Sequence, residues 1–141
     1  MPTALETHQP LRTIRRIPAN LTAIGPIRAE IAEALEQCAW EPAEAMGVVL
    51  AASEGMVNAV EHGSRVGGQV TVSFAIGPDC AEVTISDEGP PDHAHRDRVP
   101  DDTRGRGMLL IIGLATRLQY AWRGPGTILS MVFDREPARA T

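Results

Sequence analysis

The chain contains no lysine, and all 13 of its basic residues are arginine. A Walker A loop is thereby excluded, because that motif sets a lysine ammonium on the terminal phosphates, and the lysine of ordinary protein kinases is missing too. Schiff-base chemistry falls with them. Cysteine is scarce: Cys38 and Cys80 have no metal-ligand spacing, and each lies in an apolar context that suits a small buried hydrophobe better than a disulfide. No long hydrophobic run is present. The longest uncharged apolar stretch, Gly107 to Thr116, is too short to cross a bilayer, and Met1 to Pro10 lacks the apolar core of a signal peptide, so a cytoplasmic protein is expected. Nor is there an excess of positive charge. The net charge of −5 argues against nucleic acid and leaves protein or small-molecule partners. Aromatics stand at 4%, whereas the hydrophobic share of 43% and charged share of 22% are ordinary for a globular domain rather than a disordered one.

With 141 residues the chain fits one domain. Its bounds are expected at 11–134, between flexible tails at 1–10 and 135–141. Leu11 to Ile17 reads as a short first strand ended by Pro18. Ile27, Ile31 and Leu35 recur at helical spacing through Cys38, with either Asn20 or Pro26 as the start. A second helix opens at Pro42 and runs to about His62, where Gly63 supplies a left-handed stop. Its buried stripe is expected to be Met46, Val49, Leu50, Ser53, Val57 and Val60. Val70, Val72, Phe74 and Ile76 alternate with small or polar residues as a half-buried strand does, and Gly77 to Asp79 turn the chain into a partner strand, Ala81 to Ser86. Asp87 to Gly107 is a long irregular segment, a lid candidate. Met108 to Leu118 should be a buried helix, and Gln119–Arg123 with Thr127–Phe133 a closing hairpin. This order predicts an α+β fold, with helices layered on one face of a mixed, mostly antiparallel sheet.

Three constellations stand out. Glu54, Asn58 and Glu61 form a polar row at i, i+4 and i+7 beside the helix stripe. The plain alternative is a solvated helix flank, but asparagine is a poor interior helix residue, and an amide oxygen one turn from a carboxylate suits a magnesium ion and a general base beside a polyphosphate. Asp87 ends a buried strand with Gly89 two residues on; this is either a strand-terminating turn or a fixed acceptor for a ligand amine that glycine lets approach the backbone. In Thr103 to Ala115, two glycines and two arginines stand at the mouth of a helix, where unpaired N–H groups favour an anion; a flexible loop is the alternative. His93 and His95 lack a further ligand cluster and are expected as exposed loop histidines rather than a zinc site.

In this order the elements resemble the GHKL (histidine-kinase-like) ATPase superfamily: an E-x-x-x-N helix (Glu54, Asn58, then Ala59 to Gly63), a D-x-G turn (Asp87, Gly89) and a G-R-G-M helix mouth (Gly105, Arg106, Gly107, Met108). Within it the chain is most similar to the anti-sigma-factor serine kinases of bacterial partner-switching systems, over roughly Leu11 to Phe133. The resemblance implies a two-layer α/β sandwich of the Bergerat type that holds ATP and Mg²⁺ between the motif helix and a lid. It implies Asn58 as the Mg²⁺ ligand and Glu54 as acceptor of the proton from an incoming serine hydroxyl. Asp87 would bind the adenine amine, Gly89 would admit the base and Thr127 would support that network. Gly105 and Gly107 would give N–H groups to phosphates, Arg104 or Arg106 would neutralise the transferred charge, and His62 would pack beneath the nucleotide. Pro91 departs from the pattern, standing where a second glycine is common and removing a backbone donor.

The implied activity is an ATP- and Mg²⁺-dependent protein-serine/threonine kinase whose substrate is a STAS-type anti-anti-sigma antagonist, in a homodimer that also sequesters a sigma factor, with no membrane or direct nucleic-acid partner. A second reading is a binding module that captures the sigma factor or antagonist and uses nucleotide only as a structural ligand. A sensor-kinase catalytic fragment is a third, and would need a phosphoacceptor helix ahead of the domain.

Overall fold

The computed structural model describes residues 10–63, 67–89, 111 and 113–135. Most of the lid candidate, Pro91, His93, His95, Arg104, Gly105, Arg106, Gly107 and Met108 lie outside the described residues, as do both tails but for residues 10 and 135. The elements run β1 (Leu11–Pro18), α1 (Ile24–Gln37), α2 (Pro42–Asn58), β2 (Gln69–Ile76), β3 (Cys80–Asp87), β4 (Arg117–Arg123) and β5 (Gly126–Asp134). The sheet order is β1-β2-β3-β5-β4, and all four ladders are antiparallel, so among the described strands the sheet is not mixed. Both helices pack on one face. In β2 the alternation places Val70, Val72, Phe74 and Ile76 under the helices, and β3 adds Ala81, Val83 and Ile85. Each large side chain so buried contributes about 1.5–3 kcal/mol.

Neither expected start opens the first α-helix itself, which begins at Ile24. Asn20 Oδ1 accepts from Thr22 N at 2.9 Å and caps a 3-10 turn over Leu21–Ala23. That turn leads into α1 at Ile24, with Pro26 in the first α-helical turn, where a missing N–H costs nothing. Ile24, Ile27, Ile31 and Leu35 are buried against the sheet. The helix stops because Ala39 takes φ 60° while Trp40 N returns to Leu35 O at 3.1 Å. The Trp40 indole then donates to Gly77 O at 2.7 Å, tying this corner to the β2–β3 turn.

The expected stripe of α2 is rotated. Of the expected stripe Ser53 is buried and Val49, Val57 and Val60 are half-buried, but the buried centre is Val48, Ala51, Ala52, Gly55 and Met56, and Met46 and Leu50 are 61% and 44% exposed. Periodicity could not separate the faces because nearly every position from Ala45 to Val57 is apolar or small. Close packing chose the face rich in alanine and glycine, which lets the helix lie near the sheet. The rotation carries Asn58 inward, leaves Glu54 half-buried and puts Glu61 in solvent, so the expected polar row does not share one environment. A π-helical turn over Ala59–Gly63 follows, and π turns are frequent at functional sites.

The last helix ends earlier than its apolar run implied. Ile111 is helical and buried, Gly113 and Leu114 are helical, and Arg117 and Leu118 already belong to β4. Cross-strand pairing of Leu118 with Met131 and a bond from Thr116 N to Val132 O at 2.7 Å outweigh helix continuation. Cys38 and Cys80 are free and half-buried, not fully buried. No helix among the described residues is long and apolar enough to cross a membrane.

Candidate nucleotide site

The antiparallel β3–β5 ladder brings the C-terminal end of β3 beside the start of β5, and Asp87 meets Thr127 there. Both are buried, at 8% and 5% exposure. Asp87 Oδ2 accepts from Thr127 Oγ1 at 2.5 Å, and Oδ1 accepts from Thr127 N at 3.1 Å and Gly89 N at 3.0 Å. Three donors on one carboxylate fix its position and offset the cost of burying its charge. Gly89 is needed for its φ of 88° and because a Cβ would lie 2.6 Å from the Pro125 carbonyl carbon.

Gly63 is close by, but not as the expected left-handed stop: the described glycines with positive φ are Gly67, Gly89 and Gly124. It is required instead for close approach, since a Cβ there would sit 2.6 Å from Asp87 Cγ. The end of the π turn therefore rests directly on the carboxylate. That contact couples the helix carrying Glu54 and Asn58 to the acceptor on β3.

Between helix and sheet lies a small cleft walled by Gly55, Asn58, Ile85, Asp87, Tyr120 and Thr127. Its enclosed space is about 10 Å³, room for about one water, so a purine ring requires the walls to part. Asn58 is 6% exposed and its Nδ2 is buried without a hydrogen-bond partner among the described residues. An unsatisfied buried amide costs roughly 1–3 kcal/mol and is rare enough to call for an explanation, and a ligand-binding role is one. Its Oδ1 is a hard oxygen of the type magnesium takes, alongside phosphate oxygens and water. Of the two amide atoms only Oδ1 suits magnesium, whereas the buried Nδ2 is a donor that calls for an acceptor. Among the described residues there is no cluster of three or more His, Cys, Asp or Glu side chains suited to a metal ion.

Glu54 lies one turn before Asn58, half-buried, with no hydrogen bond or ion pair among the described residues. Such a carboxylate is not committed to a structural partner. His62 is exposed, 3.8 Å from Glu61, and does not line the cleft. Asn58, Asp87, Gly89 and Thr127 are thus brought together, Glu54 stands at the rim, and His62 points to solvent. Tyr120 escaped the sequence reading. It is the chain's single tyrosine and falls between Leu118 and Trp122 on one face of β4, a two-residue alternation that could have marked it.

Comparison with known proteins adds three findings. Residues 17–133 match the family model described as histidine kinase-like ATPase domain. The crystal structure of the RsbU and RsbW domains of Rv1364c from Mycobacterium tuberculosis superposes with a TM-score of 0.67 at 22% identity, covering 92% of this chain and 34% of that one. The histidine kinase domain of the blue-light activated histidine kinase from Erythrobacter litoralis EL346 gives 0.49 at 22% identity, over 84% of this chain and 61% of that one. The chain therefore spans about a third of the first and under two thirds of the second, and the first likeness speaks for the fold alone. No curated protein matches the sequence.

Proposed function

The chain belongs to the histidine kinase-like ATPase family, and we propose that it uses ATP to phosphorylate a serine or threonine on a small STAS-type anti-anti-sigma protein. In the same reading it is an anti-sigma factor, a homodimer that holds a sigma factor until the unphosphorylated antagonist displaces it. The observation that carries the nucleotide half is the buried Asp87 carboxylate, fixed by Thr127 and Gly89 in a cleft whose wall contains Asn58, its Nδ2 without a partner among the described residues. The partner-switch half is supported by the likeness of motif wording noted above and by a shared fold with a structure that includes an RsbW domain.

Roles follow from chemistry. Asp87, an acceptor held in place, takes the exocyclic amine of adenine, which discriminates it from a base with a carbonyl at that position. Gly63 keeps a side chain away from the carboxylate, and Gly89 keeps one away from the Pro125 carbonyl while donating its N–H to Asp87. Asn58 would hold Mg²⁺ through Oδ1, and bound Mg²⁺ neutralises charge on the polyphosphate. Gly105 and Gly107 would supply N–H groups to the phosphates, with Arg104 or Arg106 countering the transferred charge. Glu54 takes the proton from the incoming hydroxyl as its oxygen bonds to the γ-phosphorus and the bond to the β-phosphate oxygen breaks, leaving ADP.

The test mixes the chain with Mg-ATP and a STAS-domain protein of the same organism, and compares it with Glu54→Ala. Phosphoserine or phosphothreonine that needs Glu54 supports the kinase. Partner capture without transfer by the unaltered chain rejects it in favour of a nucleotide-dependent binding module.

A further inference from the structure

The face of the sheet turned away from the helices is uncovered among the described elements, and its edge has an unusual charge. β1 reads LRTIRRIP, three arginines and no acid, in a chain whose net charge is −5. One arginine is occupied: Arg15 points to the helix side, where Nη2 meets Glu30 Oε1 at 2.8 Å, and its Nη1 donates to Ile14 O at 3.2 Å. Arg12 and Arg16 are on the opposite face, exposed, with no ion pair or hydrogen bond among the described residues. Between them on that face is Ile14, 68% exposed, the most exposed large hydrophobic side chain described.

Register shows what surrounds this strip. Arg12, Ile14 and Arg16 pair with Ala75, Ser73 and Thr71 of β2, and those with Glu82, Thr84 and Ser86 of β3. Small side chains next to long ones leave a groove of about 200 Å³ beside β1, lined by Arg12, Ile14, Ser73, Ala75, Glu82 and Thr84. Among the described residues β1 is an edge strand, paired with β2 alone.

We propose that this strip docks an extended, acidic segment of a partner protein, with one apolar side chain on Ile14 and carboxylates on Arg12 and Arg16. The two arginines are four residues apart, roughly 13 Å along a strand, which matches acidic residues four apart in a partner that is itself extended. Glu82, two strands in from Arg12, repels a segment laid across the sheet, so the segment runs along β1. A second copy of β1 is the poorer occupant. Antiparallel pairing centred on Ile14 sets Arg12 of one chain against Arg16 of the other, and like charges directly opposite destabilise a ladder. This surface is on the far side of the sheet from the cleft and does not rest on the nucleotide reading.

Fluorescence anisotropy with the full chain and a labelled peptide containing Glu-Thr-Ile-Thr-Glu tests the proposal, with Arg-Thr-Ile-Thr-Arg as control. The acidic peptide is expected to bind, to weaken by about tenfold between low and high salt, and to lose binding to Arg12→Ser/Arg16→Ser and to Ile14→Thr, both exposed changes that spare the core. Equal binding of the control peptide, no saturable binding at low salt, or binding unchanged by the double substitution overturns it. Self-association of the chain that is abolished by Arg12→Ser/Arg16→Ser also overturns it, assigning the strip to a second copy.

Discussion

Gly63→Ala probes the join between helix and carboxylate. In a solvated helix the change would stabilise the protein by up to about 1 kcal/mol, because alanine is the better helix former. Here the new methyl would sit 2.6 Å from Asp87 Cγ and closer still to Oδ2. Asp87 cannot simply step aside, since Thr127 Oγ1, Thr127 N and Gly89 N all hold it. Overpacking of this kind costs about 1–3 kcal/mol, and each hydrogen bond lost from a charged acceptor about 1.5–3 kcal/mol more. The clash therefore outweighs propensity, for a net loss of about 2–4 kcal/mol, or roughly 10 °C in melting temperature for a domain of this size. Urea unfolding measures it as a lower midpoint at constant slope. Gly47→Ala is the control within the same helical stretch, because among the described residues its Cβ would meet Leu114 Cδ2 alone, at an ordinary 3.5 Å. It should gain about 0.5–1 kcal/mol. If Gly63→Ala proves as stable as the parent while Gly47→Ala gains, the close-approach argument is wrong, and with it the coupling of α2 to Asp87.

Asn58→Ala removes a buried donor that has no partner among the described residues. It should leave the urea midpoint unchanged or raised, by up to about 1 kcal/mol once the small cavity is offset, yet abolish magnesium-dependent ATP binding in calorimetry; unaltered Mg-ATP affinity would reject the metal assignment. Asp87→Asn keeps the shape but presents an amide, and is expected to weaken adenine nucleotides far more than free triphosphate; equal losses would speak against base recognition. Ala39→Gly relieves a left-handed alanine at φ 60° and should raise stability by about 1 kcal/mol in the same titration. Burial, aided by Asp134, pushes the Cys80 thiol up to about 11, so it should alkylate far more slowly at pH 8 than a free cysteine and accelerate as pH rises towards that value. The neutral thiol is favoured in the folded state, so stability is unaffected well below the ordinary thiol range and declines above it, as the unfolded chain ionises first.

Much of this protein is written locally. The two-residue alternation of β2, the asparagine cap and isoleucine spacing of α1, the tight turn at Gly77 to Asp79 and the order of the Glu54–Asn58, Asp87–Gly89 and Thr127 motifs were legible because each depends on neighbours a few positions apart. The absence of lysine excluded whole mechanisms before any fold was considered. The face α2 buries was not legible, because its apolar residues surround the helix and only the shape of the sheet selects among them. Nor was the true duty of Gly63, whose constraint is a carboxylate 24 positions further along the chain, nor the early end of the last helix, which yields to a ladder formed with β5. Period and turn chemistry are properties of a short segment, whereas close approach, burial of Asn58 and the joining of Asp87 to Thr127 exist only once distant segments share a surface.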